Sequence, residues 1–384
     1  MNRRRFLQTA GAAAVTAVLP SAALAAGADY GKLLILVELK GGNDGLNTVI
    51  PYTSPEYYAL RPRLAIARDQ VLQLDAQSGL HPALQPLMPL WERRELAVVQ
   101  GVGYANPNLS HFRSIEIWDT AANSTEYLTE GWLARAFSNS PAPRSYAADG
   151  VVVGGAEMGP FSGGRTRAVA ITNVEQFLNQ SRLAAPAAQA RTSVLQHIAN
   201  VESDIVQAAS RISAESVVRT DFPATPFGNA ARTAAQLVGA KAGIAAIKLS
   251  LNGFDTHSGQ QATQARLLKD LADGLAALKT ALVEAGRWDS TLILTYAEFG
   301  RRPRENQSGG TDHGTASAHF ALGGRVKGGL YGDPPSLDRL DGNGNLAHAV
   351  DFRQLYATVL ERWWGTDPAA AIRGRYAPLD LVRA

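Results

Sequence analysis

The chain has 384 residues, is 46% hydrophobic and only 18% charged, and contains no cysteine. That composition is typical of a globular protein with a large core and excludes a disordered chain. The lack of cysteine excludes disulfides, thiolate-bound metal clusters and a cysteine nucleophile. The formal net charge is +3, from 37 Lys and Arg against 34 Asp and Glu, so any nucleic-acid or acidic-membrane interpretation depends on where the excess positive charge lies.

The first 25 residues have the pattern of an export signal. Arg3-Arg4-Arg5 precedes a short apolar run over residues 11–19, and the segment ends in Ala23-Leu24-Ala25. An apolar run this short with an A-x-A ending predicts a signal peptide and not a permanent transmembrane span. The order Arg3-Arg4-x-Phe6-Leu7 indicates the twin-arginine type, which makes the twin-arginine translocation machinery a partner. An ordinary secretory signal or a retained N-terminal anchor is the alternative.

Removal of this segment would make the chain electrically neutral. Cleavage after Ala25 takes away three arginines and no acidic residue, which leaves 34 basic and 34 acidic side chains. The main support for nucleic-acid binding is then lost. No later apolar run approaches the length of about 20 residues that a transmembrane helix needs. We therefore expect a periplasmic or extracellular protein with no nucleic-acid partner.

Strands and helices alternate along the rest of the chain. Apolar runs predict strands at residues 33–39, 96–102, 168–172, 244–251, 291–296 and 319–322. Helical spacing and capping residues predict helices at 82–94, 110–120, 268–282 and 351–364. Residues 174–241 have apolar side chains at helical spacing and predict a helical insertion. The alternation predicts an α/β fold with a mostly parallel central sheet and helices on both faces, as a single domain over residues 26–384.

Polar residues follow the predicted strands, where ligands bind in open α/β sheets. In chain order they are Asp44, Ser110, His111, Asp255, His257, Glu298, Asp312 and His313. Carboxylates and imidazoles suit a divalent metal, and two ions about 4 Å apart can hold both oxygens of a displacement. A serine that opens a helix can serve as a nucleophile, because the helix N-terminus favours an anion. The pattern indicates a metal-dependent hydrolase.

Seven motifs in a fixed order carry a family resemblance. They are GGNDGLNTVIPY, LHPAL, GVGYANPNLSHFRS, FDTHSGQ, EFGRR, GGTDHGTA and VDFRQLYATVLERW. Together, from about Leu33 to Trp364, they resemble the exported proteins catalogued as domain of unknown function 1501. The resemblance implies an alkaline-phosphatase-like fold, in the superfamily that includes sulfatases and phosphodiesterases. It implies no established reaction.

The resemblance also implies roles for single residues. Asp44 is similar in place to the superfamily's first metal-ligand aspartate, and Ser110 to its serine or threonine nucleophile. Asp255 and His257 resemble the Asp and His that bind the more exposed metal. Each residue has a structural alternative: Asp44 is a common turn residue, Ser110 a common N-cap, and Asp255 and His257 polar residues of an ordered loop.

The segment Asp312-His313-Gly314 matches either of two superfamily elements. One is the Asp-His pair that ends a strand, and the other is a late histidine loop that precedes a strand. The second is preferred, because Glu298-Phe299 stands where the pair should be. Phe299 cannot bind a metal, so one metal site is expected to be weakened or lost.

The remaining site residues complete the hypothesis. Glu298 is a further candidate metal ligand, with an ion pair to Arg301 or Arg302 as its alternative. His111 and Arg113, beside the helix start, are candidates for holding a substrate anion. We expect a divalent metal, with zinc favoured and manganese and magnesium open, and a small anionic ester as substrate.

Two functions are weighed. The first is an exported metal-dependent hydrolase of phosphate or related esters. Sulfatase chemistry through formylglycine is disfavoured, because there is no cysteine to convert. The second is an exported binding or assembly protein that keeps the fold without catalysis, which Phe299 supports.

Overall fold

The computed structural model describes residues 27–183, 193–212 and 218–383, so the predicted signal segment lies outside the described residues. In the described residues, the strands are β1 Leu33–Lys40, β2 Val49–Ile50, β3 Leu72–Gln73, β4 Gly79–Leu80, β5 Leu96–Gly103, β6 Ala148–Val153, β7 Ala168–Ile171, β8 Ile244–Asn252, β9 Thr291–Tyr296, β10 Ser317–Leu322, β11 Gly329–Tyr331 and β12 Val350–Asp351. The helices there are α1 Gly45–Thr48, α2 Pro55–Leu60, α3 Met88–Glu92, α4 His111–Thr120, α5 Trp132–Asn139, α6 Val174–Ser181, α7 Ser193–Arg211, α8 Pro226–Gly239, α9 Gln260–Glu284, α10 Phe352–Ala357 and α11 Ala369–Ile372.

One nine-stranded sheet forms the centre of the fold. Its strand order is β11-β5-β10-β9-β1-β8-β6-β7, with β12 also paired to β5. Strand β1 is parallel to both neighbours, β8 and β9, whereas β10 is antiparallel to β5 and β9. Strands β2, β4 and β3 form a separate small sheet. The α/β fold with a mostly parallel sheet is therefore confirmed.

Strand β1 shows why the sheet is covered on both faces. Successive side chains of a strand point to opposite faces, and Ile35 and Val37 lie in one hydrophobic core while Leu34 and Leu36 lie in the other. Helices α8 and α9 supply the first core, and α4, α5 and α10 supply the second. A strand that begins with a continuous apolar run, as β1 does over residues 33–37, fits such a two-sided environment.

Three elements differ from the sequence prediction. The predicted helix at 82–94 is a 3₁₀ turn, Pro82–Leu87, followed by the short α3, because prolines in this segment cannot donate the helical hydrogen bond. The predicted helix at 351–364 is α10 followed by a π-helical turn, Thr358–Trp363. Strand β6 was not predicted, although it lies between β8 and β7. Gly150 of this strand packs against the Phe161 ring. A glycine at this position interrupts the apolar pattern by which a buried strand is predicted.

The segment predicted as a helical insertion contains α6, α7 and α8 between β7 and β8. Helix α8 has one face in the core of the sheet, including Phe227 and Ala231. The assignment of residues 174–241 as an insertion stays a prediction. Across the described residues, none of the helices is both long enough and apolar enough to cross a membrane.

Candidate metal centre

The sheet topology brings four loops to one edge. Strands β1, β5, β8 and β9 run in the same direction, so their carboxyl ends lie together. Strand β10 runs against them and therefore begins at that edge. The loop before β10 carries His313, and it reaches the same place as the loops after β5 and β8. His313 therefore precedes a strand, and its match to the superfamily's late-histidine loop stays a prediction.

Asp255 is the common neighbour of three histidines. Its Oδ1 lies 3.1 Å from Nε2 of His257 and 3.2 Å from Nε2 of His313. Its Oδ2 lies 3.3 Å from Nε2 of His111. His111, Asp255 and His313 each offer a donor atom within 4.8 Å of the others, and the Nε2 atoms of His257 and His313 are 3.0 Å apart. We call His111, Asp255, His257 and His313 the four-residue centre.

The opposite ring nitrogen of each histidine faces an oxygen acceptor. These contacts are His313 Nδ1 to the Leu109 carbonyl at 2.8 Å, His111 Nδ1 to Glu298 Oε1 at 2.9 Å, and His257 Nδ1 to Asp312 Oδ1 at 3.2 Å. A carbonyl oxygen only accepts, so Nδ1 of His313 carries the proton and Nε2 keeps its lone pair. Where Glu298 and Asp312 accept a proton from Nδ1, the same tautomer follows for the other two rings. Metal-binding histidines are held in this way by an outer acceptor.

Electrostatics favour the metal-binding forms of two donors, Asp255 and His313. Burial alone would raise the pKa of Asp255, but the hydrogen bond and charge of Arg301 lower it to about 2. Burial lowers the pKa of His313, which favours the neutral imidazole. The Arg301 guanidinium is buried, lies 2.7 Å from Asp255 Oδ1, and also donates to the carbonyls of Gly42 and Thr311. Arg301 therefore fixes the Asp255 loop against the end of β1.

Glu298 orients His111 instead of joining Asp255. Its Oε1 also accepts the backbone N–H of Gly41 at 2.9 Å, while its Oε2 has no hydrogen-bond partner among the described residues. Gly41 has φ +113°, and a Cβ there would lie 2.4 Å from the Asp255 nitrogen. Only glycine allows the end of β1 to approach this closely. The alternative of an ion pair between Glu298 and Arg301 is not what the structure shows, since Arg301 pairs with Asp255.

The contacts of Asp44 are with residues other than those of the four-residue centre. Its carboxylate is buried and receives the Arg61 guanidinium at 2.6 and 3.0 Å, and it also accepts from the Gln260 amide. Oδ1 accepts the N–H groups of Leu46 and Asn47, which caps α1. Both oxygens are thus engaged by protein donors. A metal-ligand role for Asp44 stays a prediction, and the structure offers the ion pair with Arg61 as the competing role.

Ser110 and Arg113 have different surroundings. Ser110 is the exposed N-cap residue of α4, yet within the described residues its hydroxyl makes no capping hydrogen bond. Arg113 is buried, pairs with Glu116 at 2.7 Å and donates to the Ser124 carbonyl at 3.0 Å. Its ring contact is with Tyr127. The Ser110 hydroxyl is therefore available for chemistry, whereas Arg113 holds the loop that follows α4; its predicted substrate contact stays a prediction.

Three residues of the site have contacts that the sequence could not specify. His111 Nε2 lies among the candidate metal donors, and its predicted substrate contact stays a prediction. Asp312 contacts His257 Nδ1, with a pKa lowered chiefly by the Asn306 hydrogen bond, and its predicted role as a metal ligand stays a prediction. Phe299 is buried, and its ring centroid lies 4.9 Å from that of His111 and 4.6 Å from that of His313. The adjacency of His111 to the predicted nucleophile was the signal that could have revealed its place.

The donor set fits a divalent metal ion. Imidazole nitrogens and a carboxylate are ordinary zinc ligands, and two nitrogens 3.0 Å apart can both reach one ion at about 2.0–2.1 Å. The outer acceptors supply the support that such ligands require. The residues that would hold the ion are His111, Asp255 and His313, whose donor atoms all lie within 4.8 Å of one another. His257 lies beside them, and Glu298, Asp312 and the Leu109 carbonyl lie behind the rings.

Solved structures with a similar course of the chain were found at low sequence identity. One is of a protein in the alkaline phosphatase superfamily from Vibrio parahaemolyticus (11% identity, TM-score 0.43, covering 90% of this chain and 69% of that chain). A second is of the lipoteichoic acid synthase LtaP from Listeria monocytogenes (11%, TM-score 0.39, 88% and 74%). A third is of the alkaline phosphatase from the Antarctic bacterium TAB5 (12%, TM-score 0.35, 78% and 94%). At these TM-scores the likeness says nothing about activity.

The comparison with curated proteins gave no match. A family model described as "Protein of unknown function (DUF1501)" matches residues 97–375. The matched segment contains the four residues of the centre, together with Ser110, Glu298 and Asp312. It begins in β5 and ends beyond α11.

Proposed function

Because the chain belongs to the DUF1501 family of proteins of unknown function, we propose its function from its own site: a metal-dependent hydrolase of phosphate or related esters that acts outside the cytoplasm. One observation carries the proposal. Three imidazoles, each held at Nδ1 by an oxygen acceptor, direct Nε2 toward the same carboxylate, Asp255. Histidines that are each oriented by an outer acceptor and that meet at one carboxylate are the arrangement that binding of a metal ion requires.

The metal proposed is zinc, because nitrogen donors outnumber oxygen donors in the centre. When bound, the ion supplies a Lewis acid that lowers the pKa of a hydroxyl or water and stabilises developing negative charge. Manganese and magnesium are the alternative ions that a measurement of metal content would identify. Magnesium prefers oxygen donors, so three histidines disfavour it.

The chain's own residues supply a nucleophile and an anion site. Ser110 is exposed at the start of α4, with its hydroxyl free of a capping bond within the described part of the chain. The first N–H groups of a helix are unsatisfied by the helix itself and attract an anion. The residue before Ser110 is Leu109, whose carbonyl holds His313, and the residue after it is His111. Ser110 is thus fixed on both sides by the centre, which suits attack on an ester held there.

Metal content tests the centre directly. The full chain, purified without chelator, should contain about one zinc ion, and His257→Ala or His313→Ala should remove most of it. Asp312→Asn should weaken zinc binding by about 10- to 100-fold, since it disturbs only an outer acceptor. His348→Ala is the matched control, because His348 is exposed and has no contact with the centre. Protein without metal after refolding with zinc would remove the proposal.

Turnover is a separate measurement. A panel of phosphomonoesters, phosphodiesters and sulfate esters should reveal hydrolysis that depends on zinc and that Ser110→Ala abolishes. Ser110→Ala should leave the zinc content unchanged, because the hydroxyl is not among the donors of the four-residue centre. Activity that survives in Ser110→Ala would reject this residue as the nucleophile while leaving the metal centre intact.

Export through the twin-arginine route is part of the proposal. It rests on the Arg3-Arg4-x-Phe6-Leu7 order, and on the benefit of loading a metal before the folded protein crosses the membrane. Replacement of Arg3 and Arg4 by lysine in the full chain should retain the protein inside the cell, while replacement of Arg5 alone should not. Normal export of the double lysine variant would reject the twin-arginine route.

A non-catalytic exported binding protein is the second candidate. Two observations favour it: Arg61 engages the carboxylate of Asp44, and the apolar Phe299 packs against the His111 and His313 rings. A protein with less than a two-metal centre could retain binding without turnover. Zinc at full occupancy with no hydrolysis across the panel would select this candidate.

A further inference from the structure

Two aromatic side chains are exposed on α4 and on the loop that follows it. Of the Phe, Tyr and Trp residues that the structure describes, only Phe112 and Tyr127 are largely exposed, at 89% and 77% of their surface. The other described aromatic residues are buried or partly buried. Exposed aromatic rings lose the free energy that burial would give them, so two of them attached to one helix start indicate a use.

Both rings are joined to α4, the helix that begins at His111. Phe112 is the residue after His111, in the first turn of α4. Tyr127 lies in the loop after α4, where its ring stacks on the Arg113 guanidinium at 3.9 Å. We call Phe112 and Tyr127 the aromatic rim.

The loop that carries Tyr127 is held by several hydrogen bonds. Arg113 pairs with Glu116 and donates to the Ser124 carbonyl, and the Ser124 hydroxyl donates to the Ala105 carbonyl at 2.9 Å. The loop that carries Tyr127 is therefore tied both to α4 and to the segment before Ser110. A rigid aromatic surface loses little entropy when a ligand binds to it.

The position of the rim determines what it can contact. The helix N-terminus and the four-residue centre are suited to an anionic group, and the rest of an ester must extend outward from there. His111 faces the centre, Arg113 faces the loop, and Phe112 is between them in the same helical turn. The organic part of the ester would leave the site across Phe112. Aromatic rings bind such groups by stacking on other rings or on the C–H face of a sugar.

We propose that the aromatic rim binds the organic group of the substrate and selects anionic esters whose alcohol portion contains a ring. This rests on the proposed function, because the rim has no anion to position unless the centre holds one. It adds a substrate class, ring-bearing esters as opposed to short alkyl esters.

Binding of non-hydrolysable analogues tests the rim without relying on turnover. Calorimetric titration of the zinc-loaded full chain with phenylphosphonate and with methylphosphonate gives the ratio of the two affinities. We expect phenylphosphonate to bind about 3- to 10-fold more tightly, as one ring contact allows. Phe112→Ala should bring the ratio close to one without weakening methylphosphonate binding, and Phe112→Trp should preserve the ratio. Leu183→Ala removes another exposed apolar side chain away from α4 and is the control.

The outcomes separate the two proposals. Equal affinities in the unaltered protein, or a ratio that Phe112→Ala leaves intact, would overturn the rim and leave the anion site standing. Failure of both phosphonates and of inorganic phosphate to bind the zinc-loaded protein would overturn the ester site and the rim together. A ratio lost in Phe112→Ala and kept in Leu183→Ala supports the rim.

Discussion

The ion pair between Arg61 and Asp44 gives the sharpest test of the structure. Both side chains are buried, at 0% and 1% exposure. Arg61 also donates to Asn47 Oδ1 and to the Pro303 carbonyl, each at 2.7 Å. Arg61→Met keeps much of the side-chain length but leaves the Asp44 carboxylate buried without its cation.

Removal of one partner from a buried ion pair costs about 3–5 kcal/mol, because the remaining charge is desolvated and unpaired. With an unfolding entropy of about 2.1 cal/mol/K per residue, this lowers the Tm of a chain of this size by about 4–7 °C. The double variant Arg61→Met/Asp44→Asn removes both charges and should recover part of the loss. Arg63→Met is the matched control, since Arg63 is 55% exposed in its pair with Glu305 and should cost at most about 1 kcal/mol.

Thermal unfolding measured by circular dichroism, together with zinc content, distinguishes the two roles of Asp44. The structural role predicts that Asp44→Asn lowers stability and keeps the zinc. The ligand role predicted from the sequence requires Asp44→Asn to lose zinc. A loss below about 1 kcal/mol in Arg61→Met would refute the reasoning from burial.

Three further predictions concern stability. Ser110→Ala should change the free energy of unfolding by less than about 0.5 kcal/mol, because the Ser110 hydroxyl makes no capping hydrogen bond in the described structure. Asn173→Ala removes an N-cap hydrogen bond and should lower the free energy of unfolding, measured by urea titration, by about 1 kcal/mol. Lys248→Met should cost about 3–5 kcal/mol, because Glu38 lies 3.0 Å away and both are buried, and adding Glu38→Gln should restore part of it; equal stability of the single and double variants would contradict this. Burial raises the pKa of Asp119 to about 7, so the folded state binds its proton more tightly than the unfolded state and stability should fall as pH rises from about 4 to 7. Asp119→Asn should flatten that fall in a Tm–pH profile, and an unchanged profile would contradict the raised pKa.

The sheet could be predicted where a strand contains a run of apolar residues. Leu33–Lys40 and Thr291–Tyr296 are such strands, and both are found as expected. Strand β6, Ala148–Val153, begins with Ala-Asp-Gly, which has neither the alternation nor the apolar run of a strand. The pairing of β6 with β7 and β8 stabilises this strand. Pairing between strands far apart in the chain cannot be predicted from a local sequence pattern.

The location of the candidate site could be predicted better than the roles of its residues. The strand-end rule located Asp255, His257 and His313, because the ends of parallel strands share an edge. It could not say which side chains become donors and which support them. That depends on contacts such as the Leu109 carbonyl with His313 and Arg301 with Asp255, which join residues far apart in the chain.

Phe299 bears on how many metal ions this edge can hold. It follows Glu298 at the end of β9, and a Cβ at Gly42 would lie 2.5 Å from its ring, so the ring fills the space against the loop after β1. On that side Arg61 already engages Asp44, the one carboxylate that the sequence predicted there as a ligand. The ring also packs against His111 and His313, which limits their rotation away from Asp255. Phe299 thus stands where a metal ligand would otherwise be, and its ring holds the remaining donors in place. We therefore expect the measurement of metal content to find one well-ordered zinc site and not two.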